Sequence, residues 1–133
     1  MIKSILNNQL RNVDIGLLVL RIAGGGFMLS HGYPKLIKLL SGNLKFADPI
    51  GIGPEISLFL TVFAEVVCAF LLLIGYKSRV ASLFLMFTML VAALIVHGSD
   101  PWGKKEFPLL YFAIYLAIFL MGSGKLSLER NNS

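Results

Sequence analysis

The sequence predicts an all-α fold, a four-helix transmembrane bundle, and three observations predict it. The 133 residues are 56% hydrophobic and only 14% charged, against about 45–50% and 25% in soluble domains. The apolar residues gather into four stretches, roughly 15–33, 56–74, 80–96 and 107–123, each near the ~17–25 residues that a spanning helix needs. The intervening segments hold four of the five prolines and most of the charges. A helix is the only open-ended structure that satisfies its own backbone in lipid, so each stretch is expected to be one. The mean hydropathy of +0.79 agrees, and the length leaves room for one domain over residues 1–133.

The first stretch contains Arg21 and the run Gly24–Gly25–Gly26. It lacks a small-residue cleavage site, so no cleavable signal peptide is expected. Pro34 is expected to end or kink this helix. Behind it, P-K-L-I-K-L-L sets Lys35 and Lys38 against leucines, which reads as an interfacial segment. Residues 41–54 are rich in Gly, Pro, Asn and Asp and should be irregular. The second stretch holds Glu65 and Cys68. Cys68 is the sole cysteine, so it has no intrachain partner and reads as a buried apolar thiol.

Residues 75–79 read as a tight turn between antiparallel neighbours. In the third stretch Met86 and Met89 read as packing. Residues 97–106 carry Trp102 in a D-P-W-G setting, an interfacial anchor by default. The fourth stretch is the shortest and carries Tyr111 and Tyr115 at i, i+4. The polar tail after Gly124 is expected to fray. No internal repeat is visible.

The net charge of +5 lies in loops and tails, which suits topology signals beside anionic lipid. No basic run interleaved with aromatics reads as a nucleic-acid surface. Lys3, Arg11, Lys77, Arg79, Lys125 and Arg130 stand at one end of the bundle; Lys35, Lys38, Lys45, Lys104 and Lys105 stand at the other. Six against five favours both termini in the cytoplasm.

The candidate site begins with two charges inside apolar stretches. A charge at the centre of a spanning helix costs about 2.5–3.5 kcal/mol, and such residues usually pair within the bundle. Arg21 is expected about 10 Å up the first helix and Glu65 about 14 Å above the end of the second. An Arg21–Glu65 pair is therefore expected, with Gly25 and Gly32 allowing close helix contact. The pair reads either as a bundle lock or as the polar floor of a ligand or proton site.

His31, Lys35, His97 and Glu106 are expected to form a second cluster at the opposite end from the termini. No H-x3-H or E-x2-H spacing supports a metal. Loop-tying hydrogen bonds are one reading, and donors and proton carriers for a quinone headgroup are another. Tyr111 and Tyr115 line the same cavity if they point inward, and form an aromatic belt if outward. The triple glycine follows no strand, so it is no dinucleotide fingerprint, and no serine or cysteine has a base beside it.

The runs L-R-I-A-G-G-G-F-M-L-S-H-G-Y-P-K, F-A-E-V-V-C-A-F-L-L-L-I-G, Y-K-S-R-V-A-S-L-F-L-M-F-T-M-L-V-A-A and G-S-G-K-L-S-L, in that order, resemble the DoxX family of small membrane proteins from about residue 15 to 128. The resemblance implies a four-helix bundle in the bacterial cytoplasmic (inner) membrane. It carries over Arg21, Gly32, Lys35, Glu65, Gly75 and Arg79. Ser123 stands where the family commonly has proline, and Glu129 where aspartate is common.

The resemblance implies a small subunit or partner of a quinone-linked oxidoreductase system, with a membrane-associated redox protein as partner. The chain itself shows no haem, flavin or iron–sulfur ligand set, and quinone is the cofactor expected. The alternative is a non-catalytic scaffold or assembly partner of a thiol or oxidative-stress complex. A small-solute carrier is a third reading, less attractive for four helices unless copies of the chain form a homo-oligomer.

Overall fold

The computed structural model describes residues 2–129, with side chains from residue 12 onward. Every regular element among them is helical, and the helices group into four rods. The first rod joins α1 (Ile2–Arg21), a π-helical segment (Ile22–Phe27) and α2 (Met28–Leu40) without a break. The second joins α3 (Pro54–Val62), a π-helical segment (Phe63–Cys68) and α4 (Ala69–Ile74). The third joins α5 (Ser78–Val91) and a π-helical segment (Ala92–Val96), and the fourth is α6 (Trp102–Met121).

Three stretches are long and apolar enough to cross a membrane: Asn12–Leu40, Pro54–Ile74 and Ser78–Val96. α6 carries Lys104, Lys105 and Glu106 in its first turns, so its uncharged part is only residues 107–121. The first helix does not end at Pro34, which lies inside α2. Proline removes only one backbone donor, and the helix continues for another turn and a half to Leu40.

Gly75 ends α4 in the left-handed conformation with φ +75°. Its N–H donates to Leu72 O and that of Tyr76 to Leu71 O, the glycine-terminated cap that closes a helix C-terminus. Pro54 opens α3 at a position where its missing N–H costs nothing.

The first and second rods touch through glycines. A Cβ on Gly25 would stand 2.6 Å from Ala69 O, and one on Gly32 would stand 2.6 Å from Glu65 O. The close approach expected of these glycines is realised. Around this seam the core is built from Met28, Ala64, Cys68, Ala69, Leu72, Ala81, Leu85, Met89, Tyr115 and Ile118. Cys68 is buried and free, as expected. Tyr115 points inward, fully buried, and donates to Gly24 O at 2.7 Å. Gly24 lies in a π-helical segment, the kind of local irregularity that frees carbonyls for such partners.

The tail does not fray over its described part. Residues 122–129 fold back across the ends of the rods: Lys125 N donates to Asp14 Oδ1, Leu128 N to Ile74 O and Glu129 N to Gly75 O. Backbone pairing to helix ends outweighs the polar composition on which the expectation rested.

Candidate functional site

The two charges set in the apolar stretches do not meet. Arg21, only 1% exposed, spends its guanidinium on four carbonyls. Nε donates to Leu72 O (3.1 Å), Nη1 to Ser123 O (2.8 Å), and Nη2 to Leu73 O (3.2 Å) and Leu126 O (2.9 Å). Leu72 and Leu73 belong to the last turn of α4, where carbonyls run short of intrahelical donors and the helix dipole favours a cation; Leu72 O takes the Arg21 bond beside the one from the Gly75 N–H. The planar fork of arginine can hold two segments at once, here α4 and the returning tail.

Glu129 completes this clasp from the other side. Its carboxylate accepts from Lys77 N (3.1 Å) and Ser78 N (3.0 Å), at the start of α5. Ser123 Oγ lies within hydrogen-bonding reach of both Ser78 Oγ and Glu129 Oε2. Desolvation tends to raise the Glu129 pKa, but the hydrogen bonds from Ser123, Ser78 and Lys77 outweigh it and hold the group below its ordinary value.

Glu65 has a different partner. Its side chain is 5% exposed, and Oε1 accepts from Lys35 Nζ at 2.7 Å. The seam explains the exchange. Gly25 faces Ala69 and Gly32 faces Glu65, so Lys35, one turn beyond Gly32, reaches back to the carboxylate. Arg21 faces Leu72 and Leu73, about 12 Å further along the rod. The expected Arg21–Glu65 pair is thereby replaced by Lys35–Glu65.

Beside this pair lies a cleft of about 480 Å³. One wall is α3 and its π-helical continuation, with Leu60, Thr61 and Phe63. The other is the third rod, with Phe84, Phe87, Thr88 and Val91, ending at His97. Residues 46–52 of the long loop cover it with Phe46, Pro49, Ile50 and Ile52. That loop is tied by Asp48 Oδ1, which accepts from Ile52 N, Gly53 N and Ser57 Oγ. Phe63 and Phe84 meet edge to face, with centroids 5.6 Å apart.

Of the residues expected from sequence, Lys35, Glu65 and His97 line the cleft. His97 Nδ1 pairs with Asp100 Oδ2 at 2.8 Å. That bond is the main reason the Asp100 carboxyl sits below its ordinary value; Lys104 and Lys105 add to it against desolvation. His31 stands apart, exposed and edge-on to Tyr111, which stacks on Tyr115 at 6.0 Å. Glu106 is exposed on the first turns of α6. Arg21 belongs to the clasp. The sequence analysis gave no role to Asp14, Asp48, Asp100 and Glu129, because isolated acidic residues announce no partner. The Ser/Gly-rich tail was the one signal of a fold-back.

The arrangement is therefore a helical bundle closed at the end of the termini and cleft on one side at the other end, with an ion pair set in apolar walls. Residues 16–98 match the family model described as DoxX, and the chain belongs to the DoxX family. It is an integral membrane protein built of helices. Among curated proteins it is similar to the inner membrane protein YphA of Escherichia coli (strain K12), with 28% identity across 92% of this chain and 99% of that protein. No solved structure matches the chain.

Proposed function

We propose that this protein is a small inner-membrane subunit or partner of a quinone-linked redox system, and that the cleft beside Lys35 and Glu65 is its quinone site. The cleft carries the reading. Its volume is in the ~300–1,000 Å³ range of ligand pockets, which combine apolar walls with a few polar groups. The ammonium of Lys35 has N–H donors beyond the one given to Glu65 and suits a carbonyl oxygen. Glu65 and the His97–Asp100 pair supply groups able to take up or release protons as a quinone is reduced or a quinol oxidised. Electrons come from the partner or directly from its substrate.

On this reading all four rods cross the inner membrane; the relative YphA is named an inner membrane protein. Both termini face the cytoplasm; labelling of an Asn43→Cys variant by an impermeant thiol reagent in intact cells tests this, and protection at that position contradicts it. The second reading, a non-catalytic scaffold, draws support from Arg21, whose three nitrogens are all engaged in holding the end of α4 and the returning tail together. Purification in mild detergent followed by solvent extraction separates the two. Quinone that travels with the protein supports the first. A stable redox partner without quinone supports the scaffold.

A further inference from the structure

The cleft has only one pair of fully charged side chains among its lining residues, Lys35 and Glu65, and at 2.7 Å they neutralise one another. The two are unequally accessible. Glu65 is 5% exposed and Lys35 32%. The hydroxyls nearby have already committed their protons: Ser57 Oγ donates to Asp48, Thr61 Oγ1 to Ser57 O and Thr88 Oγ1 to Phe84 O. A ligand head in this cleft thus meets spare N–H donors on Lys35, acceptor oxygens on Glu65 and the hydroxyls, and no net charge.

A carboxylate head that recruits Lys35 strips Glu65 of its partner in a walled-in position. An ammonium head that recruits Glu65 displaces Lys35 into apolar surroundings. The first leaves a buried charge uncompensated, the costly outcome in a low-dielectric site; the second leaves a charge that is a third exposed and partly desolvated, a smaller cost. The flank is hospitable to a chain: the rims Phe63, Phe84 and Phe87 are 36%, 49% and 59% exposed, on stretches apolar enough to lie in a bilayer.

We propose that the Lys35–Glu65 pair is a charge selector, which makes the cleft accept single-chain amphiphiles with uncharged, hydrogen-bonding heads and reject carboxylates and ammoniums. This rests on the reading of the cleft as a ligand site and specifies its chemistry; it does not require a quinone ring. Removing one partner then reverses the choice. Glu65→Gln leaves an unpaired ammonium that favours carboxylates, and Lys35→Met leaves an unpaired carboxylate that favours ammoniums.

The test uses a tryptophan reporter in the cleft, Phe87→Trp in a Trp102→Phe background, reconstituted in nanodiscs. Quenching is measured with bromo-dodecanol, bromo-dodecanoate and bromo-dodecylammonium. Leu94→Trp, on an exposed position of the same rod outside the cleft lining, corrects for partition into lipid. The alcohol should quench at a corrected concentration at least about tenfold lower than either charged probe, the order expected when an ion must be stripped of its partner. The preferred probe should change to the carboxylate in Glu65→Gln and to the ammonium in Lys35→Met. Equal corrected quenching by all three probes in the otherwise unaltered protein overturns the selector, even if both variants fail to fold. An unchanged ranking in well-folded variants does the same. In either case copurified quinone still supports the functional reading. Quenching by no probe beyond the Leu94 control overturns both.

Discussion

Replacing Arg21 with methionine keeps an unbranched apolar stem and removes every donor of the guanidinium. Four carbonyls lose a partner, and two of those bonds, to Leu72 O and Ser123 O, lie in fully buried surroundings. A buried acceptor left unsatisfied costs about 1–3 kcal/mol; Ser123 O bears that cost, while Leu72 O keeps the bond from the Gly75 N–H and loses only a second partner. The other two, to Leu73 O and Leu126 O, are partly buried and regain some solvation. With smaller losses at the other three carbonyls, the expected change is a measurable share of the ~5–15 kcal/mol that typically holds a fold together. It should be local first, because α4 keeps its own helix bonds while the tail keeps only scattered contacts, to Asp14, Ile74 and Gly75 and, through Glu129 and Ser123, to Lys77 and Ser78. The assay is thermal unfolding in detergent together with limited trypsin cleavage after Lys125. Arg21→Met should lower the melting temperature and speed that cleavage. Arg21→Lys should recover only part, since a single ammonium cannot span two segments. A methionine variant within about 0.5 kcal/mol of the parent, the range of ordinary surface changes, with the tail equally protected, refutes the clasp.

Three further outcomes follow from the same geometry. A double-mutant cycle on Lys35→Met and Glu65→Gln should give a coupling of about 1–3 kcal/mol, whereas Arg21→Met with Glu65→Gln should couple by less than about 0.5 kcal/mol; reversed values would restore the pair expected from sequence. Gly32→Ala must move Glu65 O from 2.6 Å to an ordinary contact, a shift of about 0.8 Å whose strain of about 1–3 kcal/mol exceeds the gain of up to about 1 kcal/mol in helix propensity, while Gly16→Ala, with nothing within 4 Å, should be neutral or stabilising by melting temperature. Glu129 is held below its ordinary pKa of 4.5, so its contribution is fully present above that value and is lost as pH falls through the depressed one; Glu129→Gln should flatten the acid limb of a stability–pH curve, and an unchanged limb contradicts the cap.

The apolar periodicity made the rods legible, and the glycines made the first seam legible, because length and small side chains are local properties. Register was not legible. Counting from the apparent ends of the apolar stretches put Arg21 level with Glu65, but the first rod extends beyond the second at the end of the termini, and Arg21 lands opposite Leu72 and Leu73. Lys35 was counted with the cluster near the long loop because Pro34 looked like a stop. The helix continues through it, and a flexible four-carbon stem then reaches Glu65. His97 was recognised as a site residue, but its partner Asp100 was not. The cleft itself depends on how the second and third rods separate beyond Phe63 and Phe84, and on where residues 46–52 settle, neither of which a single sequence encodes in a local pattern. The three π-helical segments were equally invisible, since an extra residue in a helical turn leaves the composition unchanged.

The central claim is that the cleft beside Lys35 and Glu65 holds the ligand, and its most direct measurement is the binding of a short-chain quinone to the reconstituted protein and to Thr88→Trp. Thr88 lines the cleft from the third rod, and an indole there takes up cleft space without removing either member of the ion pair. The account predicts a saturable site in the parent protein and at least about tenfold weaker binding in the variant, with little change in melting temperature, as expected when a ligand is excluded by shape from a preformed pocket. Equal binding by the two proteins, or no saturable binding by either, contradicts it.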